Sequence, residues 1–162
     1  MEILDVSGNT ISERWRSEFC GLFAGEGCLF LGRATRTVGH STYFVYRPEA
    51  IISLRADDRP LLHSVQEILG GILSQRSDVV YGNRETNHPR WRWYVQSRVD
   101  LLRVASILEE ALLPAKKWFE LPLWKESVLL RKMRGQKHSS EENSRLDYLF
   151  HAIRDIRTFK VL

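Results

Sequence analysis

Glu26 is the residue of this 162-residue chain that is best placed to do chemistry. It follows an apolar run that predicts a helix over residues 12–24, and the flanking glycines Gly25 and Gly27 predict the end of that helix. A carboxylate at the carboxyl end of a helix meets the negative end of the helix dipole, which costs about 0.3–1 kcal/mol. An acid in that place usually has a cation to hold, so Glu26 is a candidate metal ligand.

Two glycines lie four residues apart, one inside the predicted helix and one at its end. Gly21 and Gly25 therefore share one helical face. Each glycine costs about 1 kcal/mol of helix stability relative to alanine. Together they leave a groove that the backbone of another helix can approach closely. We therefore expect this face, with Leu22 and Ala24 beside it, to be an interface between helices.

Arginine is concentrated in one part of the sequence. Between Gly27 and Arg98 there are ten arginines, no lysine and six acids. The planar guanidinium group is suited to binding phosphates and guanine edges. The net charge of +4 permits nucleic-acid binding without requiring it. A solvated sheet face is the alternative explanation of the same arginines.

Hydrophobic periodicity predicts the elements that position these residues. Pro48 indicates an edge position or a bulge in the second strand. The predicted order is αββαββα, followed by helices at the C-terminus. In chain order, the predicted elements are a helix over 12–24, strands over 28–36 and 43–55, a helix over 61–69, strands over 72–80 and 90–97, a helix from 100, an aromatic helix after 117 and a last helix over 146–156.

The sequence Gly-Leu-Phe-Ala-Gly-Glu-Gly at residues 21–27 resembles the signature motif of the LAGLIDADG homing endonucleases. Cys20 stands at the usual alanine, and Ala24 at a position where many members have aspartate. The resemblance covers residues 12–128 and implies an α+β fold, with an αββαββα core whose antiparallel sheet is seated on DNA. It implies one endonuclease domain over residues 1–162, in which residues 129–162 form a helical C-terminal tail.

The resemblance also implies roles for individual residues. Glu26, with Gly25 beside it, would bind Mg²⁺, and Lys116 or Lys117 would match the basic residue beside the scissile phosphate. Arg55 falls near a catalytic position that is often glutamine in the family. The residues expected to contact double-stranded DNA are Arg33, Arg36, Arg47, Ser53, Gln75, Arg76, Arg84, Arg90, Arg92 and Tyr94.

The chain contains a single motif of this kind, which predicts a homodimer. Two chains meeting about a twofold axis would fill the face of Gly21 and Gly25. Two Glu26 carboxylates at that seam would repel each other unless divalent cations neutralised them. The expected function is site-specific, metal-assisted cleavage of a near-palindromic DNA duplex by a homodimer. The alternatives are a DNA-binding regulator or RNA maturase of the same fold without cleavage, and an unrelated α+β enzyme that matches by chance.

Composition predicts a cytoplasmic protein with access to DNA. Residues 1–9 show no signal-peptide pattern, and Cys20 and Cys28 both lie in the motif region rather than in a disulfide framework. The apolar run around the motif is shorter than the roughly 20 residues that a membrane span needs. We therefore expect no membrane association.

Overall fold

The computed structural model describes residues 2–76, 89–111, 116–132 and 136–158. In these residues, one antiparallel sheet carries five α-helices on one of its faces. The predicted order αββαββα is confirmed, and two helices follow it. The elements are α1 Glu13–Glu26, β1 Gly27–Val38, β2 Ser41–Arg55, α2 Arg59–Leu69, β3 Ile72–Arg76, β4 Arg90–Val95, α3 Arg98–Ala111, α4 Lys116–Leu129 and α5 Ser140–Thr158.

The strands lie in the order β1, β2, β4, β3, and every neighbouring pair is antiparallel. β1 pairs with β2 over its whole length, from Gly27 opposite Ile52 to Val38 opposite Ser41, whereas the pairing of β2 with β4 starts only at Ala50. Pro48 therefore lies just outside the part of β2 that is bonded on both sides. This position agrees with the edge location expected from the sequence, because proline cannot donate to a strand ladder.

The core lies between the sheet and the helices. Its largest fully buried side chains include Phe23, Trp93 and Trp124, and burying such a side chain contributes about 1.5–3 kcal/mol. The last helix, α5, adds Leu149 and Ile153 to the same core. The C-terminal tail therefore covers the core. Within the described ranges, no helix combines the length and the apolar character needed to cross a membrane.

Candidate active site and nucleic-acid interface

Glu26 is the last residue of α1, and the chain passes from it directly into β1. The sequence predicted an end at Ala24, but Gly25 and Glu26 are both helical. Gly27 has an extended conformation (φ −79°, ψ 161°) rather than a left-handed one. A β-carbon at Gly27 would lie 2.6 Å from ring carbons of Phe23. The glycine after the acid is therefore required by close packing, which holds the start of β1 against α1.

The Glu26 carboxylate and the Lys117 ammonium group are both placed at the carboxyl end of α1. Glu26 is exposed and has no hydrogen bond or ion pair with any described residue. Lys117 Nζ donates a hydrogen bond to the carbonyl oxygen of Ala24 at 2.5 Å and another to that of Gly25 at 3.4 Å. The last carbonyl groups of a helix lack helical partners and carry partial negative charge. Lys117 therefore places a cation at the last carbonyl groups of the helix that ends in the motif acid.

The two adjacent lysines have different partners. Lys116 Nζ is 3.5 Å from the carbonyl oxygen of Arg157 in the last turn of α5. Lys117 instead reaches α1. The sequence admitted either lysine as the basic residue beside the phosphate, and Lys117 is the one of the two whose ammonium group contacts the end of α1.

Arg55 lies at the end of the sheet that adjoins α1. Gly27, the first residue of β1, pairs with Ile52 of β2, so the last three residues of β2 run past the start of β1. Arg55 is exposed, and its Nε is 3.7 Å from Asp57 Oδ1. A pair with such exposed partners is weak, which leaves the guanidinium group available to another anion.

Gly21 and Gly25 form an open strip along α1. Both glycines are exposed, and a β-carbon added at either would meet nothing within 4 Å. Leu22 and Ala24 flank the strip and are half-buried against the core. Among the residues that the structure describes, none covers the surface that the sequence predicted to be an interface.

The oxygen donors at this end of α1 are of the kind that Mg²⁺ binds. They are the Glu26 carboxylate and the Gly25 carbonyl group, and Mg²⁺ takes oxygen ligands while keeping several waters. In the described parts of the chain, no cluster of three or more histidines, cysteines or acids could hold a metal ion. The carboxylate and carbonyl oxygens at this end of α1 therefore fit Mg²⁺ as partial ligands.

The face of the sheet opposite the helices carries a group of exposed arginines. Residues paired across neighbouring antiparallel strands point to the same face. The register therefore places Arg36 of β1 with Tyr43 of β2, and Arg55 of β2 with Arg90 of β4. Ser53 and Tyr94, both half-buried, lie on this face as well. We call it the open face, and its exposed arginines are Arg36, Arg47, Arg55, Arg76 and Arg90.

Arg33 lies on the helix-covered face. Its Nη1 donates to Asp147 of α5 at 2.9 Å, and its guanidinium carbon lies 4.5 Å from the ring centres of both Phe44 and Phe150. These contacts attach β1 to α5. Arg33 therefore lies on the opposite side of the sheet from the other exposed arginines of β1 and β2.

Three other residues were predicted to contact DNA. Two of them are not exposed on the open face, and the third lies outside the described residues. Arg92 lies on that face but is largely covered, and its Nη2 donates to Glu49 Oε2 at 3.3 Å. Gln75 is exposed on β3, but its pairing with Trp91 places it on the helix side. Arg84 lies outside the described residues.

Arg131 lies near the open face but was not among the residues predicted to contact DNA. Its pKa is lowered by burial and then by the positive charge of Arg47, while Glu49 acts in the opposite direction. Its Nη1 is buried without a hydrogen-bond partner among the described residues. The signal in the sequence was the basic run that begins at residue 131. Arg131 adds positive potential beside Arg47.

The fold and this site together define a class of protein. It is an α+β protein in which a helix with exposed glycines ends in a carboxylate, at one end of a sheet that carries exposed arginines. The family model for the LAGLIDADG endonuclease matches residues 19–128. The chain therefore belongs to the LAGLIDADG endonuclease family, whose members are DNA-binding and DNA-cleaving proteins.

Solved structures of homing endonucleases share this fold. The crystal structure of I-TnaI has a TM-score of 0.67 and 18% identity over 91% of this chain and 94% of that chain. I-CvuI, in complex with the I-CreI target in the presence of Mg, has a TM-score of 0.69 and 15% identity over 93% and 86%. The archaeal intron-encoded I-Vdi141I, complexed with DNA, has a TM-score of 0.68 and 14% identity over 93% and 89%. No curated protein sequence matches the chain.

Proposed function

We propose that this protein is a homodimeric, metal-dependent endonuclease that cuts double-stranded DNA at a near-palindromic site. One observation carries the proposal: Glu26 is exposed and has no partner in the described part of the chain, at the end of a helix whose glycine strip is uncovered. Family membership and the DNA-bound structures of I-CvuI and I-Vdi141I support it.

Packing two glycine strips about a twofold axis would bring both Glu26 carboxylates to one seam. There, Glu26 of each copy and the Gly25 carbonyl group would hold Mg²⁺, which supplies stabilisation of charge on the attacking and leaving oxygens. The Lys117 ammonium group would stabilise the additional negative charge on the phosphate. Arg55 would contact a neighbouring phosphate or orient water.

The open face would lie on the duplex. Its arginines would divide between phosphate contacts, which fix the position of the protein, and base-edge contacts, which read the sequence. Two copies related by a twofold axis read two half-sites with the same residues, so the target would be nearly palindromic.

Replacing the motif acid tests this proposal directly. We expect Glu26→Gln to lower the rate of DNA cleavage by on the order of 10²–10³, because an oxygen ligand and its charge are lost. Its affinity for the duplex in Ca²⁺ should stay within about twofold. The target for these measurements would come from a randomised duplex library incubated with the wild-type protein and Mg²⁺.

Glu13→Gln, at the opposite end of α1, is the matched control and should cut at the wild-type rate. Full cleavage activity in Glu26→Gln would refute the metal assignment. Salt-sensitive duplex binding without cleavage in Mg²⁺ by the wild-type protein would support the non-cleaving relative. Arg55, at a position that is often glutamine in the family, favours that second candidate.

A further inference from the structure

Glu120 of α4 forms an ion pair with the partly exposed Arg157 of α5, and the proposed mechanism does not use this pair. Glu120 is only 4% exposed. Arg157 donates to Glu120 Oε2 from Nε at 3.2 Å and from Nη2 at 2.9 Å. Its Nη2 also donates to the carbonyl oxygen of Leu29 in β1. Arg157 therefore joins three elements: α4, α5 and β1.

The partners of Arg157 lie close in sequence to Glu26 and Lys117, the two charged groups of the proposed active site. Glu120 is three positions after Lys117, and residues with that spacing are neighbours on a helix surface. Leu29 is three positions after Glu26 on the chain that leaves α1. Arg157 thus connects the strand that follows Glu26 to the helical turn that carries Lys117.

The first turn of α4 needs such a connection. Pro122 lies inside α4 and has no N–H, so the carbonyl group of Trp118 lacks its helical hydrogen bond. The positive end of the α4 dipole also disfavours a positively charged lysine in the first turn of that helix. Lys116 adds a second link, because its ammonium group lies at the carbonyl oxygen of Arg157. Side-chain contacts to α5 thereby supplement a turn that is weak in backbone hydrogen bonds.

We propose that Arg157 and Glu120 are positioning residues, which hold Lys117 at the carboxyl end of α1 and so set the rate of cleavage without contributing to DNA affinity. The inference rests on the proposed function, since it assigns the C-terminal helix a role in that active site. It makes α5 part of the catalytic framework in addition to a cover for the core.

The test compares two ion pairs that join the same two helices. The test variant Glu120→Leu/Arg157→Met removes both charges and leaves neither buried alone. The control variant Glu126→Leu/Arg145→Met removes the pair at the other end of α4, where Arg145 Nε and Nη2 lie 2.6 and 2.7 Å from the Glu126 carboxylate. Three quantities are measured: the single-turnover cleavage rate in Mg²⁺, duplex affinity in Ca²⁺, and the rate at which acetic anhydride acetylates Lys117.

We expect the test variant to cleave at least tenfold more slowly, to bind duplex within twofold of the wild type and to acetylate Lys117 several times faster. Lys125, which is bound to Glu109 at 2.7 Å, serves as the internal reference for acetylation. The control variant should match the wild type in all three measurements. A folded test variant with either an unchanged cleavage rate or unchanged Lys117 acetylation would overturn the proposal.

Two further outcomes are distinguishable. If the wild-type protein does not cleave, the proposed function fails, and the acetylation comparison alone decides whether Arg157 and Glu120 hold Lys117. If the double variant does not fold, Glu120→Gln takes its place, because it keeps the shape of the side chain and removes its charge. Acetylation of Lys117 at the wild-type rate in Glu120→Gln would then refute the positioning role.

Discussion

At the scale of single residues, Lys117 places a positive charge at the carboxyl end of α1, where the helix has no basic residue of its own. The last turn of α1 contains no basic residue, although a cation there stabilises a helix by about 0.3–1 kcal/mol. Lys117 fills this place from a position 93 residues away from Ala24, whose carbonyl oxygen it binds. Lys116, its neighbour in sequence, lies at the end of α5 instead. Adjacent residues with the same chemistry thus have different surroundings.

This difference predicts unequal effects of removing the two ammonium groups. We expect Lys117→Met to lower the single-turnover cleavage rate by on the order of 10²-fold, because a cation beside the phosphate is lost. Lys116→Met should lower it by less than about threefold, since that side chain reaches α5. Rates are measured with enzyme in excess over the selected duplex in Mg²⁺. Equal losses in the two variants would contradict the assignment of Lys117.

At the scale of elements, α5 is attached to the rest of the fold through ionised carboxylates. Asp147 accepts hydrogen bonds from the Tyr46 hydroxyl group at 2.7 Å and from Arg33 at 2.9 Å. The Tyr46 hydrogen bond, followed by that of Arg33, holds the pKa of Asp147 below its usual value. The hydrogen bond from Arg145 in α5 likewise lowers the pKa of Glu126 in α4. Both carboxylates bind their partners in the ionised form.

These lowered pKa values predict that acid weakens the attachment of α5. A carboxylate whose pKa is lower in the folded state stabilises the protein above its unfolded pKa, which is about 3.9 for Asp and 4.3 for Glu. That stability is lost as the pH falls through the folded pKa. We therefore expect the free energy of unfolding, measured with urea, to decrease from about pH 5 downward.

The variant Asp147→Asn/Glu126→Gln isolates this contribution. Neither new side chain titrates, so its free energy of unfolding should vary less with pH over the same range. Asp155→Asn, a change at an exposed position of the same helix, is the control and should follow the wild-type curve. Identical pH dependence in the double variant and the wild type would contradict the role of these two carboxylates.

At the scale of the whole molecule, one chain presents one half of the proposed enzyme. Its sequence has one motif acid, and the described residues form one glycine strip and one open face of arginines. The two glycines each lower the stability of α1 by about 1 kcal/mol, and no described residue fills the space that they leave. A second copy packed on this strip would use that space.

If the chain dimerises through the glycine strip, a bulky side chain on the strip should leave the fold of the monomer intact and prevent dimerisation. We expect Gly21→Leu to keep the folded monomer, because its β-carbon meets nothing within 4 Å, and to abolish the dimer in analytical ultracentrifugation. Cleavage should be lost with the dimer. Arg154→Leu places the same side chain at an exposed position of α5 and should remain dimeric. A Gly21→Leu variant that is dimeric and cuts DNA at the wild-type rate would rule out this interface.

The sequence predicted the order of the elements well because apolar periodicity reports directly on secondary structure. It placed the end of α1 two residues early, because glycine commonly ends a helix. Packing of Gly27 against Phe23 decides that end. The sequence also did not predict which face of the sheet carries Arg33, because Leu29, Phe30 and Leu31 are all apolar and give no alternation.

By itself, the sequence determined the motif acid, the paired glycines, the excess of arginine and the αββαββα order, because each is a property of neighbouring residues. Only the tertiary structure decided which lysine meets α1, which arginines share the open face and that Arg157 reaches Glu120 and Leu29. These are contacts between distant parts of the chain. They depend on strand register and helix packing, which local periodicity does not specify.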